Sequence, residues 1–181
     1  GDCRQVLASL EAESVQCVVT SPPVTALAYA AGVIDSDGTI GIRRSTYSMR
    51  VRGDAGCAVF SPRVALKQVT PQAVAFMKAT FGGAQMMQAA SVTRGRPLHY
   101  WEIHSRSAAA MLRLIQPFLL IKAEQAANCL ELYALVERSK KERVARGRGH
   151  AGSAARDPAL TDLMQAAYER AKLLNRVGLD K

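Results

Sequence analysis

Two carboxylates, Asp35 and Asp37, are the side chains of this sequence best placed to do chemistry. They follow the apolar run ALAYAAGVI (residues 26–34), which is rich in helix formers, and they precede Gly38, which readily ends a helix. Acids at the C-terminal end of a helix face the negative end of its dipole, so a cation stabilises them. Mg²⁺ takes one or two carboxylates and completes its shell with water and phosphate oxygens. The stretch therefore predicts a divalent-cation site at a helix end.

The predicted helix over residues 24–38 carries small residues on one face. Ala28, Ala31 and Gly32 fall on the same side of a helix and would let a second backbone approach closely. The sequence contains no internal repeat that could supply that second helix. We therefore expect these residues to form a dimer interface with another copy of the chain.

A hairpin is predicted next, because residues 39–51 and 58–68 have strand-like patterns around the turn sequence GDAG (53–56). One face of this hairpin carries polar donors two residues apart, which is what a two-stranded ribbon in the major groove of DNA needs. The alternative is an ordinary solvated face of an antiparallel sheet. The residues of this polar face are Arg43, Ser45, Tyr47, Ser61 and Arg63.

The second half of the chain repeats the alternation of helices and strands. Thr70-Pro71-Gln72 starts a helix that ends at Gly82-Gly83, and strands are predicted over 84–93 and 98–105. Further helices are predicted over 107–116, 122–137 and 158–176, with a flexible basic loop over 138–157. In the second hairpin we expect Arg94 and Arg96 at the tip and His99 and Trp101 together on a DNA-facing side. The last helix should pack through Leu160, Leu163, Met164, Ala167 and Leu174.

The bulk composition agrees with a polyanion partner. The net charge is +9 with a pI near 9.8, which favours nucleic acid over other partners. The four cysteines form no C-x-x-C pair, so they predict reduced thiols in a cytoplasmic protein. No run of residues is long and apolar enough to suggest a membrane span, and no signal peptide is evident.

Three segments together resemble the LAGLIDADG homing endonucleases. AAGVIDSDG followed by TIGI (30–42) resembles the motif itself, while VALKQVTPQAVAFMKATFGG (64–83) and LIQPFLLIK (114–122) resemble two further parts of the family pattern. The resemblance covers residues 25 to about 136. It implies an α+β fold with an αββαββα core, whose curved antiparallel sheet binds DNA, and here an extra C-terminal helix. It also implies a homodimer, because only one motif is present.

The same resemblance implies roles for individual residues. Asp37 matches the family's ligand for Mg²⁺ or another divalent cation, whereas Asp35 matches a structural cap with direct ligation as the lesser alternative. Gln68 would position solvent, and Lys122 would stabilise charge on the transferring phosphate. One departure is Gln72, which stands where the family often has an arginine.

Residues 1–23 resemble a different family. GDCRQVLASLEAESVQCVVTSPP is similar to the catalytic region of DNA amino-methyltransferases, in which a Ser-Pro-Pro-aromatic turn binds a flipped base. Here Val24 replaces the aromatic residue, and no glycine-rich loop for a methyl donor occurs in the sequence. We therefore interpret residues 1–23 as a methyltransferase-like remnant or a fusion junction, and residues 24–181 as the endonuclease domain. A methyltransferase domain in cis is an expected partner.

The resulting expectation is a site-specific endonuclease of duplex DNA that leaves staggered ends at a long pseudo-palindromic site. Two alternatives keep the fold without cleavage: a nuclease-inactive recognition module of a methyltransferase, and an RNA-intron maturase. A third alternative is a structural insert, but such an insert would have less use for an arginine-bearing sheet face.

Overall fold

The structure is a computed structural model that describes residues 23–47, 57–90, 95–145 and 157–176. The described elements follow the predicted order of helices and strands, and a 3-10 turn precedes the long fourth helix. They are α1 (Pro23–Asp37), β1 (Gly38–Tyr47), β2 (Cys57–Gln68), α2 (Pro71–Phe81), β3 (Ala84–Gln88), β4 (Leu98–His104), α3 (Ser105–Ile115), the 3-10 turn Gln116–Phe118, α4 (Ala123–Ala145) and α5 (Pro158–Leu174).

The four described strands form one antiparallel sheet in the order β1-β2-β4-β3. Arg43 pairs with Ser61 across β1 and β2, and Arg63 pairs with His104 across β2 and β4. Directly paired residues share a face of the sheet, and side chains alternate along each strand. This register puts the odd-numbered residues of β1 and β2 on the same face as the even-numbered residues of β4.

The face of the sheet opposite to these residues packs against the helices, and the hydrophobic core lies between them. Side chains from all three long strands and from α1, α2, α3 and α4 are packed there without access to solvent. The largest of them include Ile34, Ile40, Leu66, Met77, Trp101, Leu112 and Ile115. A second cluster joins β2, α4 and α5 through Phe60, Leu132, Leu160 and Met164.

Gly38 allows α1 to pass directly into β1. A Cβ atom at this position would lie 2.6 Å from Ile34 Cδ1 and 2.7 Å from Ile34 Cα, so only glycine fits. The chain therefore turns sharply at the end of α1, and Asp37 is held at the last position of the helix, next to the sheet.

Two predictions about the C-terminal half were wrong. Residues 138–145, expected in a basic loop, continue helix α4. Ion pairs one helical turn apart, Arg138 with Glu142 at 2.8 Å and Lys140 with Glu137 at 2.7 Å, support this extra length. Leu163 was expected to pack in the core, but on α5 it is 51% exposed. Ala171 is buried instead.

Several predictions lie outside the described residues. These are the methyltransferase-like segment up to residue 22, the turn at 53–56, Arg94, and the loop over 146–156. Among the described residues, Cys129 is a free and buried thiol, and burial raises its pKa to about 12. No helix in the described ranges combines the length and apolarity that crossing a membrane requires.

Candidate active site and nucleic-acid interface

Asp35 accepts backbone hydrogen bonds from the three residues that precede α4. Its Oδ2 accepts from the N–H groups of Leu120 at 2.7 Å and Ile121 at 3.2 Å, and its Oδ1 accepts from Lys122 N–H at 2.9 Å. Burial raises the pKa of this carboxyl, but the three N–H donors and the positive charge of Lys122 lower the pKa by more. The pKa of Asp35 therefore lies below its ordinary value. Both carboxylate oxygens of Asp35 are therefore engaged by backbone donors.

Lys122 makes the return contact to the end of α1. Its ammonium Nζ donates to the carbonyl oxygens of Ile34 at 2.7 Å and Asp35 at 2.8 Å. It also donates to the carbonyl oxygen of Gly38 at 2.8 Å. An ammonium group has three N–H donors, so these contacts use all of them. Burial lowers the pKa of Lys122, and the charges of Asp35 and Asp37 partly oppose that shift.

Asp37 is the carboxylate left available for chemistry. It is exposed, and its Oδ2 accepts a hydrogen bond from Gln68 Nε2 at 2.9 Å. Within the described part of the chain, no other hydrogen bond to this carboxylate is found. Asp37 ends α1 and Gln68 ends β2, and pairing of Gly38 with Leu66 brings the two together. The residues expected to act on one phosphodiester group therefore converge at one corner of the sheet.

The donor set at this corner fits one hard divalent cation that keeps most of its water. The described ranges contain no group of three or more His, Cys, Asp or Glu side chains able to hold a metal ion by themselves. A single available carboxylate at Asp37 suits Mg²⁺, which commonly takes one or two carboxylates and leaves other positions to water and phosphate. Because Asp35 has committed both oxygens to N–H donors, Asp37 is the residue that fits the ligand role.

The sheet face away from the core carries cationic side chains. Arg43 and Ser61 are paired neighbours, and Ser45 and Arg63 lie on the same face, as the sequence predicted. The backbone of Tyr47 pairs with Cys57 at the end of the same ladder. Beside them, a groove of about 550 Å³ runs between this face and the end of α5. Its lining includes Arg43, Arg63, Glu102, Tyr168, Lys172, Asn175 and Arg176.

The expectation that Trp101 reads DNA was wrong. Trp101 shares a face with His99, as predicted, but that face is the one covered by helices. Its side chain has no solvent access, and its indole Nε1 donates to Gly82 O at 2.7 Å. His99 pairs with Gln68 and is half-buried on the same side.

Sequence analysis missed the β4 residues that share the arginine-bearing face of the sheet. They are Tyr100, Glu102 and His104, which pair with β2 residues of that face. The phase of β4 was hard to set because the strand sequence LHYWEIH has aromatic or polar side chains at both phases. Of the two tip arginines, Arg96 is exposed and lies just before β4.

The exposed side of α1 differs in part from the predicted dimer face. Ala31 is fully buried within its own chain, so its expected role in a dimer interface was wrong. Ala28 and Gly32 are exposed, and a Cβ atom on Gly32 would have no neighbour within 4 Å in the part of the chain that the structure describes. Close by, Leu120 and Ile121 are 90% and 72% exposed, although their N–H groups bind Asp35.

Comparison with solved structures identifies the fold. The homing endonuclease I-CvuI in complex with the I-CreI target in the presence of Mg has a TM-score of 0.60 at 15% identity, over 82% of this chain and 80% of that chain. The same endonuclease with its own target in the presence of Ca gives 0.60 at 16% identity, over 83% and 82%. The archaeal intron-encoded homing endonuclease I-Vdi141I complexed with DNA gives 0.51 at 13% identity, over 84% and 99%.

No protein-family model and no curated protein sequence matches the chain. The likeness therefore rests on three-dimensional structure, and with I-CvuI it extends over 82% of this chain and 80% of that chain. At this level of identity the comparison establishes architecture. The chain has the α+β fold of the LAGLIDADG homing endonucleases.

Proposed function

We propose that this chain is one subunit of a homodimeric endonuclease that hydrolyses both strands of duplex DNA at a long pseudo-palindromic site and leaves staggered ends. The observation that carries the proposal is the placement of Asp37 and Gln68. An exposed carboxylate and an amide meet at the corner of a sheet whose open face carries arginines. The solved structures of similar fold are described as homing endonucleases in complex with DNA, which supports the same substrate class.

Asp37 is the residue that would hold a divalent cation. When bound, such a cation lowers the pKa of a water molecule and stabilises the charge of the leaving oxygen. Gln68 fixes the Asp37 carboxylate through its amide N–H, and its own carbonyl oxygen is an acceptor able to orient a water molecule. Asp37 would therefore hold the cation, and Gln68 would orient a water molecule.

Lys122 stabilises the end of α1, where Asp37 lies. Its ammonium neutralises the carbonyl oxygens at the end of α1, which is the negative end of the helix dipole. The positive charge also favours a phosphate nearby, although no N–H donor is left over for a direct hydrogen bond in this arrangement. We assign Lys122 primarily to positioning Asp37.

Duplex DNA would lie across the open sheet face. Cations along the groove, among them Arg43, Lys172 and Arg176, suit contacts to the phosphate backbone. Such contacts give affinity that falls with rising salt concentration. Base edges would be read by side chains nearer the middle of the sheet.

The dimer would form through the exposed side of α1. Gly32 leaves open space for a second backbone, and Leu120 and Ile121 extend the same region with apolar surface that lacks cover within the described chain. One chain supplies one Asp37. A two-fold arrangement would bring two such acids to the two strands of a pseudo-palindromic site.

An association with a DNA methyltransferase remains part of the proposal. It rests on the resemblance of residues 1–23, and in particular on Ser21-Pro22-Pro23, whose last residue is the first of α1. A nuclease-inactive recognition module is the second candidate function. It is favoured by one observation, namely that Lys122 spends all three of its N–H donors inside the protein instead of facing a phosphate.

The two candidates are separated by incubating the chain with a randomised duplex-DNA library and Mg²⁺. The endonuclease proposal expects cleavage at a discrete site with staggered ends. Asp37→Asn should abolish cleavage and retain binding, while Asp162→Asn, at an exposed acid on α5, should cleave as the unmodified chain does. Binding to a defined site without cleavage in Mg²⁺ or Mn²⁺ would assign the chain to the recognition module instead.

A further inference from the structure

Four polar side chains form a connected network on the open face of the sheet. Arg63 Nε donates to Glu102 Oε2 at 3.1 Å, and the Tyr100 hydroxyl donates to the same oxygen. Arg63 Nη2 donates to the Tyr100 hydroxyl oxygen. On the other side, His104 Nε2 lies 3.2 Å from Glu102 Oε1. The carboxylate of Glu102 is therefore the centre of the network.

Glu102 places a negative charge on a basic surface. The hydrogen bond from Tyr100 and those from His104 and Arg63 outweigh its partial burial and lower its pKa to about 2. It lines the same groove as Arg43, Arg63 and Arg176. A surface meant only to hold phosphates gains nothing from an anion at this position, because like charges repel. The carboxylate must serve something other than affinity for the backbone.

The network fixes one edge of the Arg63 guanidinium and leaves another free. Of its five N–H donors, Nε–H goes to Glu102 and one Nη2–H goes to Tyr100. The end edge, made of Nη1 and the second Nη2 donor, makes no contact with these residues. The Arg63 side chain is 37% exposed and lines the groove, so a ligand lying in the groove can reach it. Two parallel N–H donors match the O6 and N7 acceptors of guanine in the major groove.

We infer that Glu102 is a specificity-determining positioning residue: it holds the Arg63 guanidinium so that the free edge selects guanine at one position of each half-site. The inference rests on the proposed DNA binding, and it adds to it a residue and a base. Glu102 acts in two ways. Its carboxylate fixes the orientation of the Arg63 guanidinium. Its negative charge also makes a contact between the same guanidinium and a phosphate oxygen less favourable, and phosphates are present in every DNA sequence.

The test is selection of bound sequences from a randomised duplex library without a divalent cation, so that cleavage plays no part. The unmodified chain should prefer guanine at one position of each half-site. Arg63→Lys keeps the positive charge but loses the two parallel N–H donors, and should lower the preference for guanine about tenfold to a hundredfold. Glu102→Gln should lower the same preference by a comparable factor, leave other positions unchanged, and bind random DNA at least as tightly because an anion has been removed.

A matched control is Glu142→Gln. Glu142 also pairs with an arginine, Arg138 at 2.8 Å, but on α4 away from the groove, so its variant should select the unmodified pattern. Tyr100→Phe removes a second contact to the guanidinium without changing charge and should weaken the same position to a lesser extent. This variant keeps the test decisive if Glu102→Gln fails to fold.

Three outcomes would overturn the inference. One is that Glu102→Gln keeps the preference for guanine within about twofold while Arg63→Lys loses that preference. Another is a uniform loss at all positions, which would make Glu102 a scaffold residue. The third is a preference for a base other than guanine at the position controlled by Arg63. Failure of the unmodified chain to bind any duplex DNA would instead reject the proposed function itself, together with this inference.

Discussion

Asp35 and Lys122 cap each other's helices. The carboxylate of Asp35, near the end of α1, accepts the N–H groups that lead into α4, and the ammonium of Lys122 satisfies the carbonyl oxygens that end α1. Each side chain thus compensates the exposed dipole of the other residue's helix. The end of α1, and with it Asp37, is held by contacts between residues more than eighty positions apart in sequence.

Replacing Lys122 by Met should destabilise the chain by about 1–3 kcal/mol, because carbonyl oxygens at the end of α1 lose a charged donor while partly shielded from water. Urea unfolding of both proteins measures the difference. Lys140→Met is the control, since the contact of Lys140 among the described residues is an exposed ion pair with Glu137, and such pairs contribute little. Equal effects of the two substitutions would contradict the capping role of Lys122.

Gly38→Ala should destabilise the chain by about 1–3 kcal/mol. The added Cβ would lie 2.7 Å from the Cα of Ile34, so relief requires movement of backbone and not only of a side chain. The comparison is Gly41→Ala in the same strand, where the new atom would lie 3.5 Å from Asn175 Nδ2, an ordinary contact. Thermal and urea unfolding should separate the two variants, and a stable Gly38→Ala would show that the turn has room to adjust.

The Glu102 network should make stability depend on pH in the acidic range. The folded pKa of Glu102 is about 2, below its ordinary value of 4.5, so an unfolded chain binds a proton first as the pH falls. The contribution is complete above about pH 4.5 and is lost on acidification toward pH 2. Glu102→Gln should therefore flatten the fall of the unfolding free energy over this range, as measured by urea unfolding. Glu142→Gln should retain the full slope.

Salt dependence should report which cations of the groove contact phosphates. Arg176→Gln should reduce the slope of log affinity against log salt by about 0.9 if this residue neutralises one phosphate, with little change in the preferred sequence. Arg138→Gln, on α4 and outside the groove lining, is the control and should leave the slope unchanged. An unchanged slope for Arg176→Gln would remove the end of α5 from the interface.

Local signals, namely strand alternation, the glycine at the end of α1 and the proline that opens α2, were sufficient to predict the order of elements. The meeting of Asp37 with Gln68 was expected from the resemblance of residues 30–42 and 64–83 and not from those signals. The segment resemblances added Lys122 to the same neighbourhood. Its partners could not be predicted, because a contact between α1 and the start of α4 depends on how the helices pack over the sheet.

The misplacement of Trp101 has a physical reason. The side of a strand that faces the core is fixed by its register with its neighbours, and a shift of one residue inverts it. β4 has Tyr100 and Trp101 in succession, so apolar surface occurs at both phases. Pairing of Leu66 with Trp101 decides the matter, since Leu66 faces the core. Consequently Glu102, the centre of the polar network, went unnoticed in the sequence.

Gly32→Leu tests the proposed dimer. No atom of the described residues lies within 4 Å of a Cβ at this position, so one subunit has room here for a larger side chain, and helix propensity improves. If a second α1 packs closely against this face, the same side chain should block it, and sedimentation should show a monomer with unfolding stability preserved at low protein concentration. Cleavage of both strands at one site should then be lost, because a monomer brings only one Asp37 to the DNA.

The control for this substitution is Ala110→Leu, at an exposed position of α3. It adds a similar apolar side chain outside the proposed interface, so the dimer should persist. A Gly32→Leu protein that sediments as the unmodified chain does would place any dimer contact elsewhere. The apolar surface at Leu120 and Ile121 would then be the next region to substitute, since it is the most exposed apolar part of this side of the described molecule.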